Sequence, residues 1–281
     1  MEEIAQNVFI KTAYKGVTVG AIRTPEGVVV IDVPLVIKDI QSWQTTCVRS
    51  STGSNRLLVL LDDHPDRTAG AKYNRYPIIT QVNSARALTS RPSITKMQGM
   101  ETGAIWETIP EICTVEWPRP EITFTHSVTI NWGEKPIVIE HNPGPTAGSS
   151  WVIIPDQKIV FIGDTVTPGQ PPFLSSAEIN SWILSLDILK SSKFKDFVII
   201  SGRATLVAKE DIRQSQRFLK KALRTFDKLY NQKAEIIKVQ ESGASFINEF
   251  KPKNKSEKDL FRARLSYGFG KYYINNYSKK K

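Results

Sequence analysis

Leu57-Leu58-Val59-Leu60-Leu61-Asp62-Asp63-His64-Pro65-Asp66-Arg67-Thr68-Ala69-Gly70 holds the pattern from which the fold is read. Five consecutive aliphatic residues after Arg56 read as a strand buried on both faces. The run stops at three carboxylates and an imidazole within five residues, Asp62 to Asp66, and Thr68-Ala69-Gly70 opens a helix. Asp62, Asp63, His64 and Asp66 thus gather charge at the C-terminal end of a strand, where α/β folds build their sites. The same segment also reads as a solvated acidic turn with Asp66 as helix N-cap.

Upstream, Asn7–Thr12, Gly16–Thr24 and Gly27–Asp32 are rich in Val and Ile and punctuated by Pro25-Glu26-Gly27, which reads as a β-meander. A helix over Leu35–Arg49 follows from Ile37, Ile40 and Trp43. Downstream come a short strand, Pro77–Gln81, and a helix over Ser84–Leu88, an α/β order. Residues 91–118, with Met97, Met100, Trp106 and Trp117, lack periodicity and read as a long loop or short helices over one end of the sheets. A second β block reads as Ile122–Thr125, Ser127–Trp132, Pro136–Glu140, Ser150–Ile154 and Lys158–Ile162, with turns at Trp132–Pro136 and Pro155–Lys158. A helix over Ser176–Leu189, a strand over Phe197–Ser201 and an amphipathic helix over Lys209–Tyr230 complete the pattern.

With 281 residues, 40% of them hydrophobic and 23% charged, the chain can bury a large core and is not disordered. No apolar run reaches the roughly 18–20 residues of a membrane span. The opening Met1–Asn7 is acidic and polar rather than secretory, so a cytoplasmic protein is expected. Cys47 and Cys113 exclude a disulfide framework or a cysteine zinc site, and neither has a neighbouring base. Only His64, His126 and His141 supply imidazole. The net charge of +10 is uneven: residues 251–281 hold ten basic and two acidic side chains, which leaves +2 on the rest. We therefore divide the chain into a domain over 1–250 and a basic, aromatic extension over 251–281. Phe261, Leu265 and Phe269, four apart, mark a short helix there. Its aromatics, Phe261, Tyr267, Phe269, Tyr272, Tyr273 and Tyr277, suit base stacking beside phosphate-pairing cations. The preferred reading is a terminal helix packed on the body, ending in solvated Lys279-Lys280-Lys281.

Two further segments bear on function. His141-Asn142-Pro143-Gly144-Pro145-Thr146-Ala147-Gly148-Ser149-Ser150 lies between strands, and the strand Lys158–Ile162 ends in Gly163-Asp164-Thr165. With Asp62–Gly70, these resemble the metallo-β-lactamase superfamily, in its glyoxalase II-like branch. The family's order is Thr-His-x-His-x-Asp-His-Thr-Gly-Gly, Pro-Gly-His-Thr-x-Gly-Ser, Gly-Asp-Thr and a late Gly-His. The resemblance spans about residues 5–230. It implies an α/β fold, the αββα four-layer sandwich, with two sheets face to face, helices outside and the site at one edge. The basic C-terminal helical extension follows it.

In that family these positions hold two zinc ions sharing a bridging hydroxide. The resemblance places Asp62 at the leading His, keeps His64 and Asp66, and puts Arg67 at the last His of the first motif. Pro145 stands at the second motif's His, Asp164 is kept, and Arg203 follows Gly202 at the late Gly-His. Arginine offers no lone pair to a metal. Guanidiniums at 67 and 203 would repel the second cation, replace its charge and pair with the carboxylates. The resemblance thus implies a pocket of Asp62, His64, Asp66, Arg67, Pro145, Asp164 and Arg203 with no metal cofactor. The expected protein is a non-hydrolytic pseudoenzyme that binds a small anionic ligand or a partner protein, away from membranes. One alternative is a divergent hydrolase of esters, thioesters or phosphoesters. It would use one divalent ion on Asp62, His64 and Asp164, with Asp66 and Asp164 as catalytic groups. Another is a nucleic-acid-associated protein acting through residues 251–281. Thr165–Phe173 is expected to border the pocket, Trp106 and Trp117 either to line it or to pack, and His141 either to swing in or to bond at a strand end.

Overall fold

The computed structural model describes residues 1–49, 53–95, 101–204 and 206–278. Met97, Met100 and Lys279-Lys280-Lys281 lie outside the described residues. Strands β1 (Glu2–Ala5), β2 (Val8–Lys11), β3 (Val19–Thr24) and β4 (Gly27–Ile31) form an antiparallel meander. Helix α1 (Ile37–Arg49) then crosses over to β5 (Asn55–Val59), parallel to β4. After the short helix α2 (Pro65–Thr68) come β6 (Ile78–Gln81) and α3 (Val82–Ser90). The small antiparallel pair β7 (Ile94–Thr95) and β8 (Thr114–Val115) precedes β9 (Ile122–Phe124). The first sheet runs β1-β2-β3-β4-β5-β6-β9.

The second sheet contains β10 (Ser127–Ile130), β11 (Ile137–His141), β12 (Ser150–Ile154), β13 (Ile159–Phe161) and β14 (Val198–Ile200) in chain order. Hairpins join the first four; β14 is parallel to β13 because α4 (Ile179–Lys190) crosses between them. Helices α5 (Lys209–Asn231), α6 (Ile236–Ser245) and α7 (Lys255–Asn276) close the chain.

The apolar run over 57–61 shows why the layers form. Leu57, Val59 and Leu61 enter the core between the sheets, with Ile139, Val152 and Phe161 opposite. Leu58 and Leu60 point the other way, into a core with Trp43 and Cys47 of α1. On the second sheet Trp151, Ile153 and Val160 pack outward against Trp182 and Leu186 of α4 and Phe218 and Phe226 of α5. Each sheet is buried on both faces, so the four layers are α, β, β, α, with the metallo-β-lactamase-type sandwich as read from the sequence.

Three sequence readings change. Residues 122–125 do not open the second sheet: β9 pairs in parallel with β6, Ile79 opposite Ile122 and Gln81 opposite Phe124. A three-residue strand carries no pattern that selects its partner; the neighbouring sheet edge does. The helix after His64 starts at Pro65 rather than at Thr68, with proline in its first turn. Helix α6, which the sequence reading does not anticipate, is the bed for the terminal helix.

That terminal helix belongs to the outer core. Phe261, Leu265, Phe269, Tyr272, Tyr273 and Tyr277 are buried with Trp182, Phe226 and Phe246. The Phe269 ring lies 4.8 Å from those of Phe226 and Phe246. Gly243 lets α6 and α7 meet, since a Cβ there would fall 2.6 Å from the Phe269 Cβ. Of the six aromatics suited to base stacking, only Tyr267 is not buried. Cys47 is buried and Cys113 exposed. Among the described residues no helix is long and apolar enough to cross a membrane. Truncating Phe269 to alanine should cost about 3–5 kcal/mol of unfolding free energy, the range for a core phenylalanine, read from the shift of a urea unfolding curve.

Candidate functional site

Four strands bring charge to one edge of the sandwich through the residues just past their C-terminal ends. Asp32 follows β4, Asp62 to Arg67 follow β5, Asp164 follows β13 and Arg203 follows β14. Asp32 has φ 54° and Gly163, beside Asp164, has φ 56°. Both turn the chain sharply where the strands stop, in a conformation that Asp tolerates and Gly adopts freely. The 62–70 segment is not a solvated turn: Asp62, Asp66, Arg67 and Thr68 are all buried. The N-cap of α2 is His64 rather than Asp66, its Nδ1 accepting the Asp66 N–H at 3.1 Å.

Arg67 lies at the centre. Its Nε donates to both oxygens of Asp62 at 3.0 Å, and Nη1 donates to Asp32 Oδ2 at 3.2 Å. Nη2 sits against Asp164 Oδ1. A Cβ at position 202 would collide with Nη1, so glycine there leaves the guanidinium its space. Asp32 Oδ1 accepts Leu61 N–H at 3.1 Å, and Asp62 Oδ1 accepts His64 N–H at 3.0 Å.

Arg203 forms the second cluster. Nε and Nη2 reach the two oxygens of Asp164 at 2.8 and 2.9 Å, a bidentate pair. Nη1 donates to Asp66 Oδ2 at 2.7 Å and to Gly16 O at 3.1 Å. Asp66 also accepts the backbone N–H groups of Ile105 (3.0 Å) and Trp106 (2.8 Å). Trp106 thus contributes through its main chain while its indole packs in a buried cluster. Arg203 Nη2 lies 3.1 Å from His64 Nδ1. With two N–H groups aimed at Nδ1, the imidazole is the neutral Nε2–H tautomer. Phe173 roofs the cluster, 4.1 Å from the His64 ring and 4.5 Å from the Arg203 guanidinium carbon.

Residues 64–201 match the model of the metallo-β-lactamase superfamily. The match covers 138 of the 281 residues, and over that segment the chain is similar to this superfamily. A metallo-β-lactamase from Pontibacter korlensis superposes with a TM-score of 0.63 at 19% identity, over 78% of this chain and 97% of that one. The DIM-1 metallo-β-lactamase exposed to ceftazidime gives 0.61 at 17% identity, over 79% and 96%. Both show the shared fold. A comparison with curated proteins finds no match.

Metal chemistry on this superfamily edge needs carboxylate and imidazole lone pairs facing a common point. Here Asp62, Asp66 and Asp164 face guanidinium N–H groups, and His64 Nδ1 faces two N–H donors. Pro145 lines the mouth beside His64 and offers no donor atom. Among the described residues no three His, Cys, Asp or Glu side chains come together so as to hold a metal ion. This donor set does not fit the family's metal. His141 bonds Ala147 O at 2.8 Å at its strand end, and Trp117 stacks on Arg91.

The site contains a carboxylate that the sequence reading missed. Asp32 ends Val28-Val29-Val30-Ile31 as Asp62 ends Leu58-Val59-Leu60-Leu61 and Asp164 ends Phe161-Ile162-Gly163. An aspartate closing an aliphatic strand was the available signal. Four carboxylates face two guanidiniums, and burial divides the carboxylates. Asp32 is pushed up to about 7 by burial, against the pull of Arg67. Burial also raises Asp62. For Asp66 and Asp164 burial is outweighed, chiefly by Arg203, and both stay below the usual carboxylate range. Burial, with Arg203 beside it, brings His64 down to about 3.

Arg67→Ala would leave Asp32, Asp62 and Asp164 short of a buried partner. It should cost about 3–5 kcal/mol, seen as a clear fall in melting temperature. Asp32 gives a pH signature. A carboxyl that keeps its proton up to about pH 7 when folded, but loses it near 4 when unfolded, favours the fold at low pH. That contribution is lost as pH rises through 7. The melting temperature of Asp32→Asn minus that of the parent should therefore move in the variant's favour as the pH is raised across this window.

Proposed function

We propose that this protein is a non-hydrolytic member of its superfamily, a pseudoenzyme in which an arginine–aspartate core stands in place of the metal centre and whose mouth binds a ligand or partner. The observation that carries this reading is the double clamp on Asp164, held by Arg67 from one side and bidentately by Arg203 from the other. A metal-bridging carboxylate would have to give up both guanidiniums, each of which would lose one of its buried carboxylate partners while standing beside the incoming cation. The guanidiniums supply positive charge but no activated water. His64 is a poor general base, because its Nδ1 lone pair already accepts hydrogen bonds and its proton affinity is depressed. Burial of the terminal aromatics favours a small ligand or protein partner over nucleic acid.

The test is elemental analysis together with an activity screen. Protein purified in zinc-containing buffer should carry well under one equivalent of zinc. Lactam, ester, thioester and phosphodiester substrates should show no turnover above background, with or without added zinc or manganese. Two tightly bound equivalents, or turnover abolished by Asp164→Ala, would overturn the proposal in favour of a divergent hydrolase.

A further inference from the structure

A cavity of about 400 Å³ lies between the His64 edge and helix α7. Arg264, Tyr267, Lys271 and Asn275 line it, spaced as one face of the helix. We infer that this cavity is a binding site for a small organic oxyanion, a carboxylate or a phosphate monoester, held by Arg264 and Lys271.

Arg264 is the reason. It is 1% exposed, like the core arginines, yet it has no carboxylate partner among the described residues. Its Nε donates to Gly103 O at 3.0 Å, and Nη1 donates to Pro171 O at 3.1 Å and Gln170 Oε1 at 3.3 Å. Its guanidinium carbon lies 3.9 Å from the Phe173 ring centroid. Nη2 is buried with no hydrogen-bond partner among the described residues. A buried cation whose hydrogen-bond partners are all neutral and which keeps an unused N–H group is costly unless an anion completes it. The carboxylate of Glu107 does not do so; it accepts Thr102 N–H at 3.1 Å and Thr102 Oγ1 at 2.6 Å. Asp66 and Asp164 are taken by Arg203.

The walls agree in sign. Lys271 is exposed and makes no ion pair among the described residues. The acidic residue among the lining side chains, Asp63, is paired with Arg91. The Nε2–H tautomer of His64, forced by the donors at Nδ1, gives the same cavity another donor edge. A guanidinium, an ammonium and an imidazole N–H around a volume at the small end of ligand sites suit an oxygen-rich anion of few atoms. This inference rests on the reading that the mouth binds without cleaving.

Isothermal titration of the full chain with inorganic phosphate and, separately, citrate, each against chloride at matched ionic strength, tests it. At least one anion should bind at millimolar concentration or below; which one binds separates phosphate from carboxylate recognition. Lys271→Ala, an exposed change that spares the core, should weaken binding about tenfold, ~1.4 kcal/mol. Arg264→Gln should abolish it, provided its melting curve remains cooperative. Neither anion binding above chloride, or Lys271→Ala binding like the parent, overturns the inference. Anion binding accompanied by Asp164-dependent turnover would leave this site standing and remove the non-hydrolytic reading. Absence of both would do the reverse.

Discussion

Arg67 is a fully buried cation that touches Asp32, Asp62 and Asp164, the residues that end three different strands. Its guanidinium joins the first sheet to the second at one edge of the sandwich. Buried charge is costly unless it is paired and hydrogen-bonded, so this contact constrains all that surrounds it. It requires glycine at 202, the sharp turns at Asp32 and Gly163, and Arg203 to complete Asp164. Arg203 in turn requires Asp66, which is held by main-chain N–H groups at 105 and 106. Residues far apart in the chain are thereby tied into one network.

The network has a consequence for chemistry. A metal ion organises lone pairs around a point and offers an open coordination position to a substrate. A guanidinium organises carboxylates through a plane of donors and leaves no open position. In the reading proposed above, this edge serves as a structural element and ligand binding falls to the mouth beside Phe173. There α7 meets the loop that carries Ser175 and Ser176, and Arg264 of that helix is buried without a carboxylate partner among the described residues.

Much of this was legible in the residues. The aliphatic runs ending in aspartate, the glycine- and proline-marked turns and the spacing of the amphipathic helices point to two sheets with outer helices. The order of short motifs locates Asp62, His64, Asp66, Arg67, Asp164 and Arg203, which the structure brings together. Asp32 was missed because a single aspartate after a strand is ordinary until its neighbours are known. Arg264 was missed because one arginine in a basic helix looks like any solvated cation.

The sequence by itself determined which segments become buried strands, because five aliphatic residues in a row can be hidden only by covering both faces. It also determined that the edge is rich in carboxylate and guanidinium, because those side chains are written at the strand ends. Tertiary structure alone decided the pairing. Whether β9 joins the first sheet or the second, which carboxylate meets which arginine, and which buried arginine has none among the described residues depend on distances between residues far apart in the chain, 161 positions between Gly103 and Arg264 and 187 between Gly16 and Arg203. Local sequence carries no record of such distances. Burial then converts each of them into a charge state, because the cost of an ionised group depends on what stands within a few ångströms of it.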